Sequence, residues 1–297
     1  MTDPTTARPT PVLDPLPEIL VAPVVRAALL EDLGHAGDLT TAATVPRDLT
    51  GSVALVARDA GVVAGLPAAL LAWRLLDPGV ETRVARPDGS PVAPGDEIAV
   101  VTGAVHTLLT GERVALNLLS HLSGVATATA GLVEAVAGTR ASICCTRKTT
   151  PGLRALEKAA VRAGGGANHR FGLDDAVLVK DNHLAFAGGI APALAGIRAR
   201  VGHLVKVEVE VDTLEQLREV VEIGVEPGLV DVVMLDNMGL EELAEAVAFV
   251  GRRCLLEASG RVTRETAGPI AATGVDLISA GWITHSAPIL DVGLDHR

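Results

Sequence analysis

The chain contains no tyrosine, three phenylalanines and two tryptophans, so aromatic rings cannot fill the interior of a 297-residue protein. Alanine, valine, leucine and glycine must do so, within a composition that is 48% hydrophobic. Such aliphatic content suits helices packed on buried parallel strands. Cysteine is nearly as scarce. Three residues, with Cys144 and Cys145 adjacent, exclude a disulfide framework, and the adjacent pair lacks zinc-ligand spacing. They read as reduced core thiols. Positive charge is in deficit too: 25 Lys and Arg against 36 Asp and Glu leave a formal charge of −11. That balance argues against nucleic acid as a partner, because neutralising phosphates needs a broad basic surface. No apolar run reaches the ~18 residues that span a bilayer. The opening MTDPTTARPTPVLDPLP is polar and proline-rich, unlike a signal peptide. The expectation is a soluble cytoplasmic protein with no membrane partner and a mobile tail at residues 1–17.

Against this acidic background one stretch, residues 146–183, is basic: TRKTTPGLRALEKAAVRAGGGANHRFGLDDAVLVKDNH. Arg147, Lys148, Arg154, Lys158, Arg162, Arg170 and Lys180 outnumber Glu157, Asp174, Asp175 and Asp181. A local cationic field on an acidic protein costs self-repulsion, and it points to a small anionic ligand. Arg154, Lys158 and Arg162, at i, i+4 and i+8, read as a solvated helical face. Arg147–Lys148, His169–Arg170 and Lys180 fall instead beside predicted strand ends and loops. The Gly164–Gly166 run reads as a helix C-cap and connector.

The organisation changes along the chain. Residues 19–33 have helical periodicity despite Pro23 and stop at Gly34, and 38–41 read as a turn. Between 51 and 101 short strand-like runs surround one helix at 66–76, an α+β unit with antiparallel pairing. A long helical region at 108–136 is expected to break near Ser123–Gly124. Thereafter short strands at 141–146, 176–180, 204–210, 231–235, 254–258 and 276–280 alternate with helices. Those helices are expected at 151–163, 190–200, 213–223, 239–251 and 263–273. Strict alternation forces a parallel sheet with right-handed crossovers. No G-x-G-x-x-G follows the first strand, which favours a barrel over a dinucleotide-binding sheet.

A barrel places its chemistry where strands end, and every predicted strand here ends in polar groups. Arg147 can grip a carboxylate or phosphate with a planar fork, and Lys148 offers a compact point charge. Lys180 closes the apolar run AVLVK and is open to three readings: Schiff-base lysine, phosphate ligand or salt-bridge partner. In VEVEVD the alternation puts Glu208 and Glu210 on one face, opposite Val207, Val209 and Val211. An inward carboxylate needs a cation, which could be Lys180, Lys206 or a metal. Asp236, at the end of VVML, can complete the arrangement, and two carboxylates suit Mg²⁺ carried by a polyphosphate. Ser259–Gly260 and Ala280–Gly281 follow the last two strands, where barrels commonly hold phosphate. His35, His106, His121, His203 and His285 read as structural, and His183 as a cap or an orienter of Lys180.

The basic block closely resembles the quinolinate phosphoribosyltransferases, and the likeness runs from about residue 31 to 294. Supporting segments are EDLGHAGDLTT (31–41), ERVALNLLSHLSGVAT (112–127), VEVEVD (207–212), VMLDN (233–237), EASG (257–260) and THSAPILDVGLD (284–295). The resemblance implies an N-terminal α/β sandwich with an antiparallel sheet (18–122) and an incomplete, TIM-like α/β barrel (123–282). A closing segment (283–297) would return to the first domain. It implies conversion of quinolinate and phosphoribosyl pyrophosphate to nicotinate mononucleotide, CO₂ and pyrophosphate with Mg²⁺, in NAD synthesis. It further implies a homodimer with shared active sites, and leaves open a higher homo-oligomer. Carried over residue by residue, the partner's Arg113 with Arg147, His169, Arg170 and Lys180 would surround the quinolinate carboxylates. Lys148 and Lys180 would face the phosphoribosyl donor, Glu210 and Asp236 its ribose and Mg²⁺, and Ser259, Gly260 and Gly281 its 5′-phosphate. Lys148, Lys180, Glu210 and Asp236 form the expected catalytic set. One departure stands out: the family commonly has a second glycine after Ser–Gly, and this chain has Arg261. Other readings are a Schiff-base lyase built on Lys180, a non-catalytic or repurposed homologue that binds a different phosphorylated ligand, and a related transferase acting on another aromatic acid.

Overall fold

The computed structural model describes residues 13–297; of the expected tail, residues 1–12 lie outside the described residues and 13–17 carry no helix or strand. Helix α1 (Glu18–Leu33) buries Val21, Val25 and Leu29, which recur every fourth residue and therefore share one face. Helix α2 (Leu39–Thr44) follows where the sequence predicts only a turn. Its cause is a cap: Asp38 Oδ1 accepts the Thr41 backbone N–H at 2.9 Å, satisfying a donor that every helix start leaves open. Next come β1 (Thr50–Ala57), β2 (Gly61–Val62), α3 (Leu66–Leu76), β3 (Glu81–Val84), β4 (Pro91–Val92) and β5 (Glu97–Ala104). Helix α3 keeps the bounds expected from sequence. It carries fully buried Trp73, whose Nε1 donates to Leu108 O at 2.9 Å.

Helix α4 (Val105–Ala135) runs 31 residues, and the break expected at Ser123–Gly124 does not occur. Ser123 Oγ accepts from Ala64 N at 3.0 Å and donates to Ala64 O at 3.2 Å. A Cβ on Gly124 would lie 2.1 Å from Pro288 O. The dipeptide that resembles a helix breaker instead lets other backbone segments approach closely. Among the described residues α4 is the one helix long and apolar enough to cross a membrane, a length the sequence reading discounted; 61% of its most apolar window is buried within the protein. That burial is what a core helix shows.

The chain continues through β6 (Ser142–Cys144), α5 (Arg154–Ala163), β7 (Val177–Val179), α6 (Asp181–Ala187), α7 (Ile190–Arg200) and β8 (Val207–Val211). Helix α8 (Leu214–Val220) runs into a π-helical turn at Val221–Val225, followed by β9 (Val232–Asp236) and α9 (Leu240–Val250). The last elements are β10 (Leu255–Ser259), α10 (Arg264–Ala272), β11 (Leu277–Ser279), α11 (Trp282–His285) and β12 (Val292–His296). Two compact units result. The first comprises residues up to Ala130 with Thr149–Gly165 and Ile283–Arg297; the second comprises Gly131–Lys148 and Gly166–Trp282.

In the first unit the antiparallel order is β12-β1-β5-β3. Helix α5 belongs to it, and the solvated stripe expected along this helix fails at Lys158, which is only 1% exposed. Its neighbour Glu157 is fully buried; its Oε1 lies 2.9 Å from His121 Nε2 and its Oε2 accepts the Thr150 N–H at 3.1 Å. Periodicity marks the helix, but the packing around α5 buries its polar side too.

The second unit is a six-stranded, wholly parallel sheet in the order β6-β11-β10-β9-β8-β7, with helices as the connections. Strands β6 and β7 follow one another in sequence yet sit at opposite ends of the ladder. The result is the expected incomplete α/β barrel. Val207, Val209 and Val211 are buried on one side of β8, as the alternation requires.

Replacing Gly124 by Ala forces a methyl group against the 288–289 backbone. Overpacking of this kind costs about 1–3 kcal/mol. Denaturant unfolding of the Gly124→Ala variant should show that loss; a change below about 0.5 kcal/mol would contradict the close-approach reading.

Candidate active site

All six strands of the second unit deliver their C-terminal ends to one rim, and the register sets neighbours along it. Asp236 pairs with Ser259, Ser259 with Ser279, and Ser279 with Cys144, so four strands end in one row. Val177 and Val179 pair with Val207 and Val209, which brings Lys180, the residue after β7, alongside Glu210. Lys180 Nζ donates to Glu210 Oε2. The cation demanded by an inward Glu210 is therefore Lys180; Lys206 pairs instead with Asp231. A Lys180 ammonium held by a carboxylate is a charged ligand for anions, unlike the free amine a Schiff base needs. The Lys180 backbone N–H donates to His183 Nδ1 at 2.9 Å, so His183 caps α6.

Arg147 and Lys148 lie just past β6, with Arg147 half-buried and Lys148 exposed. His169 and Arg170 lie in the connection from α5 to β7. Arg170 Nη1 donates to Ala176 O at 3.1 Å, and the loop beyond is pinned by Asp175, which accepts the Gly172 N–H at 2.8 Å. Burial, and then the like charge of Arg147, lower the Arg170 pKa. Two guanidinium groups kept this close gain from a shared anion.

Inside the sheet lies a cluster that joins His169, an expected site residue, to Glu208 and Glu257, which the expected site set does not contain. His169 Nε2 is 2.8 Å from Glu208 Oε2 and 3.8 Å from Glu257 Oε1. Glu208 is 7% exposed and Glu257 1%. His169 Nδ1 accepts the Arg170 backbone N–H at 2.7 Å, so the proton of a neutral ring sits on Nε2 and points at Glu208. Burial, and then the charge of Glu208, push Glu257 up to about 7. Cys144 Sγ lies 3.8 Å from Glu257 Oε2, and burial with the Glu257 charge raises this thiol well above its ordinary range. Cys144 is thus a core thiol and no thiolate nucleophile. For its two carboxylates the sequence signal was the inward alternation of Glu208 and a lone glutamate near the end of β10.

Further along the same rim the loops after β9, β10 and β11 lock together. Asn237 Nδ2 donates to Asp236 Oδ2 at 2.6 Å, and Asn237 N donates to Ser259 O at 2.8 Å. Gly260 has φ 113°, and a Cβ there would lie 2.2 Å from Asn237 Oδ1. Arg261, at the position where the family commonly has glycine, adopts φ 45°. A left-handed conformation costs an L-residue about 1–2 kcal/mol, so Arg261 keeps the backbone shape that glycine would take freely. Gly281 follows β11, and Trp282 Nε1 donates to Val262 O at 2.8 Å, tying its loop to that of Arg261. Arg113 is on α4 in the first unit, lining a depression of about 330 Å³ with Asp32, Asp38 and Thr110.

Glu257 carries a pH signature. Its folded pKa of about 7 exceeds the ordinary 4.5, so the folded state keeps a proton that the unfolded chain releases. Stability from this group is full below pH 4.5 and is lost as pH rises toward about 7. The loss is on the order of 3 kcal/mol. In Glu257→Gln, unfolding measured from pH 4.5 to 8 should lack this component and the variant should gain on the wild type at the alkaline end. Parallel curves for the two proteins would contradict the assignment.

Comparison with known proteins agrees with this geometry. The family description "Quinolinate phosphoribosyl transferase, C-terminal domain" matches residues 125–295, and its N-terminal counterpart matches 38–123. The nicotinate-nucleotide pyrophosphorylase [carboxylating] of Mycobacterium leprae is 45% identical over 279 residues, covering 91% of this chain and 95% of the relative. The probable enzyme of that name from Bacillus subtilis is 42% identical over 266 residues, covering 90% of each chain. The crystal structure of NadC from Streptococcus pyogenes superposes with a TM-score of 0.89 at 40% identity, covering 96% of this chain and 99% of that one. The nicotinate-nucleotide pyrophosphorylase from Ehrlichia chaffeensis gives 0.87 at 36% identity, covering 93% and 98%. Its sequence and its fold together make this chain a member of the quinolinate phosphoribosyl transferase family.

Proposed function

We propose that this chain transfers a phosphoribosyl group from phosphoribosyl pyrophosphate to quinolinate with decarboxylation, giving nicotinate mononucleotide, CO₂ and pyrophosphate in de novo NAD synthesis. The observation that carries the reading is the gathering of Arg147, Lys148, Arg170 and Lys180 past the ends of β6 and β7 or in the connection between them, in a chain of net charge −11. Burial and the like charge of Arg147 lower Arg170's preference for charge, which a dicarboxylate would relieve. Quinolinate is a dianion and its co-substrate a polyanion; holding both together needs several fixed cations.

In this reading Arg147, His169, Arg170 and Lys180 form the quinolinate side of the site, and Arg113 reaches it from the partner subunit of a homodimer. Lys148 and Lys180 face the phosphoribosyl donor. The pyridine nitrogen attacks the anomeric carbon as pyrophosphate departs, and Glu210 and Asp236 stabilise the positive charge that develops on the ribose. Ser259, Gly260 and Gly281 hold the 5′-phosphate, with Trp282 and Asn237 keeping those loops in register. Quinolinate's 2-carboxylate then leaves as CO₂, its electrons pass to the cationic ring, and C2 takes up a proton. Glu210 and Asp236 offer oxygen donors on neighbouring strands, but Glu210 is already shared with Lys180. That donor set fits Mg²⁺ that brings most of its ligands from water and pyrophosphate. Bound there, Mg²⁺ would neutralise the charge of the departing pyrophosphate. Such an enzyme works in the cytoplasm on small molecules, as a dimer or a higher assembly of dimers.

Arg147→Ala and Lys180→Ala should each lower kcat/KM for nicotinate mononucleotide formation by at least about 100-fold with the fold intact. Near-wild-type turnover in either would remove that residue from the site. Arg113→Ala should be as inactive alone. Mixed with Arg147→Ala it should regain activity, because one of the two sites in a mixed dimer then has every group. No recovery after demonstrated subunit exchange would mean that each site is built from one chain.

A further inference from the structure

Glu208 and Glu257 are among the most deeply buried ionisable groups of the second unit, and the reaction chemistry described above uses neither. Each keeps one oxygen, Oε1, without a hydrogen-bond partner, although both residues are more than nine-tenths buried. A buried carboxyl oxygen left unpartnered is costly, so its retention calls for a reason. The reason lies in what these groups hold. Glu208 Oε2 takes the His169 Nε2 proton at 2.8 Å, and Glu257 Oε1 stands behind it at 3.8 Å. The other ring nitrogen, Nδ1, accepts the Arg170 N–H at 2.7 Å. Both nitrogens of His169 are therefore engaged, one toward the sheet and one toward the loop. Arg170 is in turn fixed at its far end by the Nη1 bond to Ala176 O.

We propose that Glu208 and Glu257 are positioning residues: they lock His169 in one orientation and tautomer, and His169 locks the Arg170 backbone so that the Arg147–Arg170 clamp stands pre-formed for a dicarboxylate. His169, on the quinolinate side of the site, then acts as a bracket between sheet and clamp, one ring nitrogen turned to Glu208 and the other to the Arg170 N–H. Glu257 faces His169 and Glu208, with Cys144 on β6 and Ser279 on β11 as its remaining polar neighbours; its proton keeps the floor beneath an anionic substrate from carrying a second full negative charge. A pre-formed clamp spares the cost of ordering two arginine side chains upon binding. The loss should accordingly fall on quinolinate affinity and leave the phosphoribosyl donor untouched.

This inference rests on the proposed quinolinate chemistry, so one of its tests is independent of turnover. In ¹⁵N-histidine NMR spectra, the resonance assigned to His169 by its absence in His169→Asn should show a proton on Nε2 and a bare, hydrogen-bonded Nδ1. Glu208→Ala should abolish that fixed tautomer, and Glu208→Gln, which keeps an acceptor oxygen, should restore it. In kinetics, Glu208→Ala and Glu257→Ala should raise the quinolinate KM by about 10-fold or more, with the donor KM within about 2-fold and Glu208→Gln recovering most of the loss; a 10-fold change corresponds to about 1.4 kcal/mol. Equal rises in both KM values, or an unchanged His169 spectrum in Glu208→Ala, would overturn the positioning role. A wild type that shows the fixed tautomer but does not bind quinolinate in equilibrium dialysis would sink the substrate reading and leave the bracket standing.

Discussion

Every strand of the second unit runs the same way, and that constraint decides where chemistry can occur. Parallel pairing with helical returns leaves one rim for all six C-terminal ends. The register then does the fine placement. A one-residue slip of β8 against β7 would turn Glu208 and Glu210 to the helix side and Val207, Val209 and Val211 inward. Lys180 would lose its partner and His169 its acceptor together. Hydrophobic alternation thus protects the active-site geometry, since the slip would also expose three buried valines.

Charge is distributed on the same principle. An acidic chain concentrates guanidinium and ammonium groups on the rim and holds carboxylates beneath them. Lys180 is neutralised by Glu210, which stops it from adding fully to the field. Arg147 and Arg170 stay close to each other, with the burial of Arg170 adding to the cost. The strain of that arrangement is what an anionic substrate releases. The stretch of the same rim past β9, β10 and β11 is built differently. It relies on Asn237, Gly260 and Trp282 to fix loop backbones, and Arg261 is accommodated there at a positive φ.

Much of this was legible in the sequence because it depends on local pattern. The six strands and the crossover helices follow from strict alternation, and the bounds of α3 and α7 match to the residue. The basic block stands out only against an acidic remainder, which composition supplies. What failed was decided by distant neighbours. Ser123–Gly124 looks like a helix break until Ala64 and Pro288 come against it. Lys158 looks solvated because helical spacing says nothing of how many sides of a helix are covered. Helix α2 was hidden in a segment too short for periodicity, and only the Asp38 cap reveals it. Glu257 is the instructive case: a glutamate near a strand end reads as a rim residue, whereas its 1% exposure comes from Cys144, Glu208 and His169, which are far away in the sequence.

The most direct measurement uses quinolinate labelled at the 2-carboxylate, with phosphoribosyl pyrophosphate, Mg²⁺ and the purified protein, counting labelled CO₂ and nicotinate mononucleotide in the same reaction. One labelled CO₂ for each mononucleotide, with no product when nicotinate replaces quinolinate, is the expected result. Mononucleotide formed from nicotinate, or label retained in the product, would contradict a decarboxylating transferase.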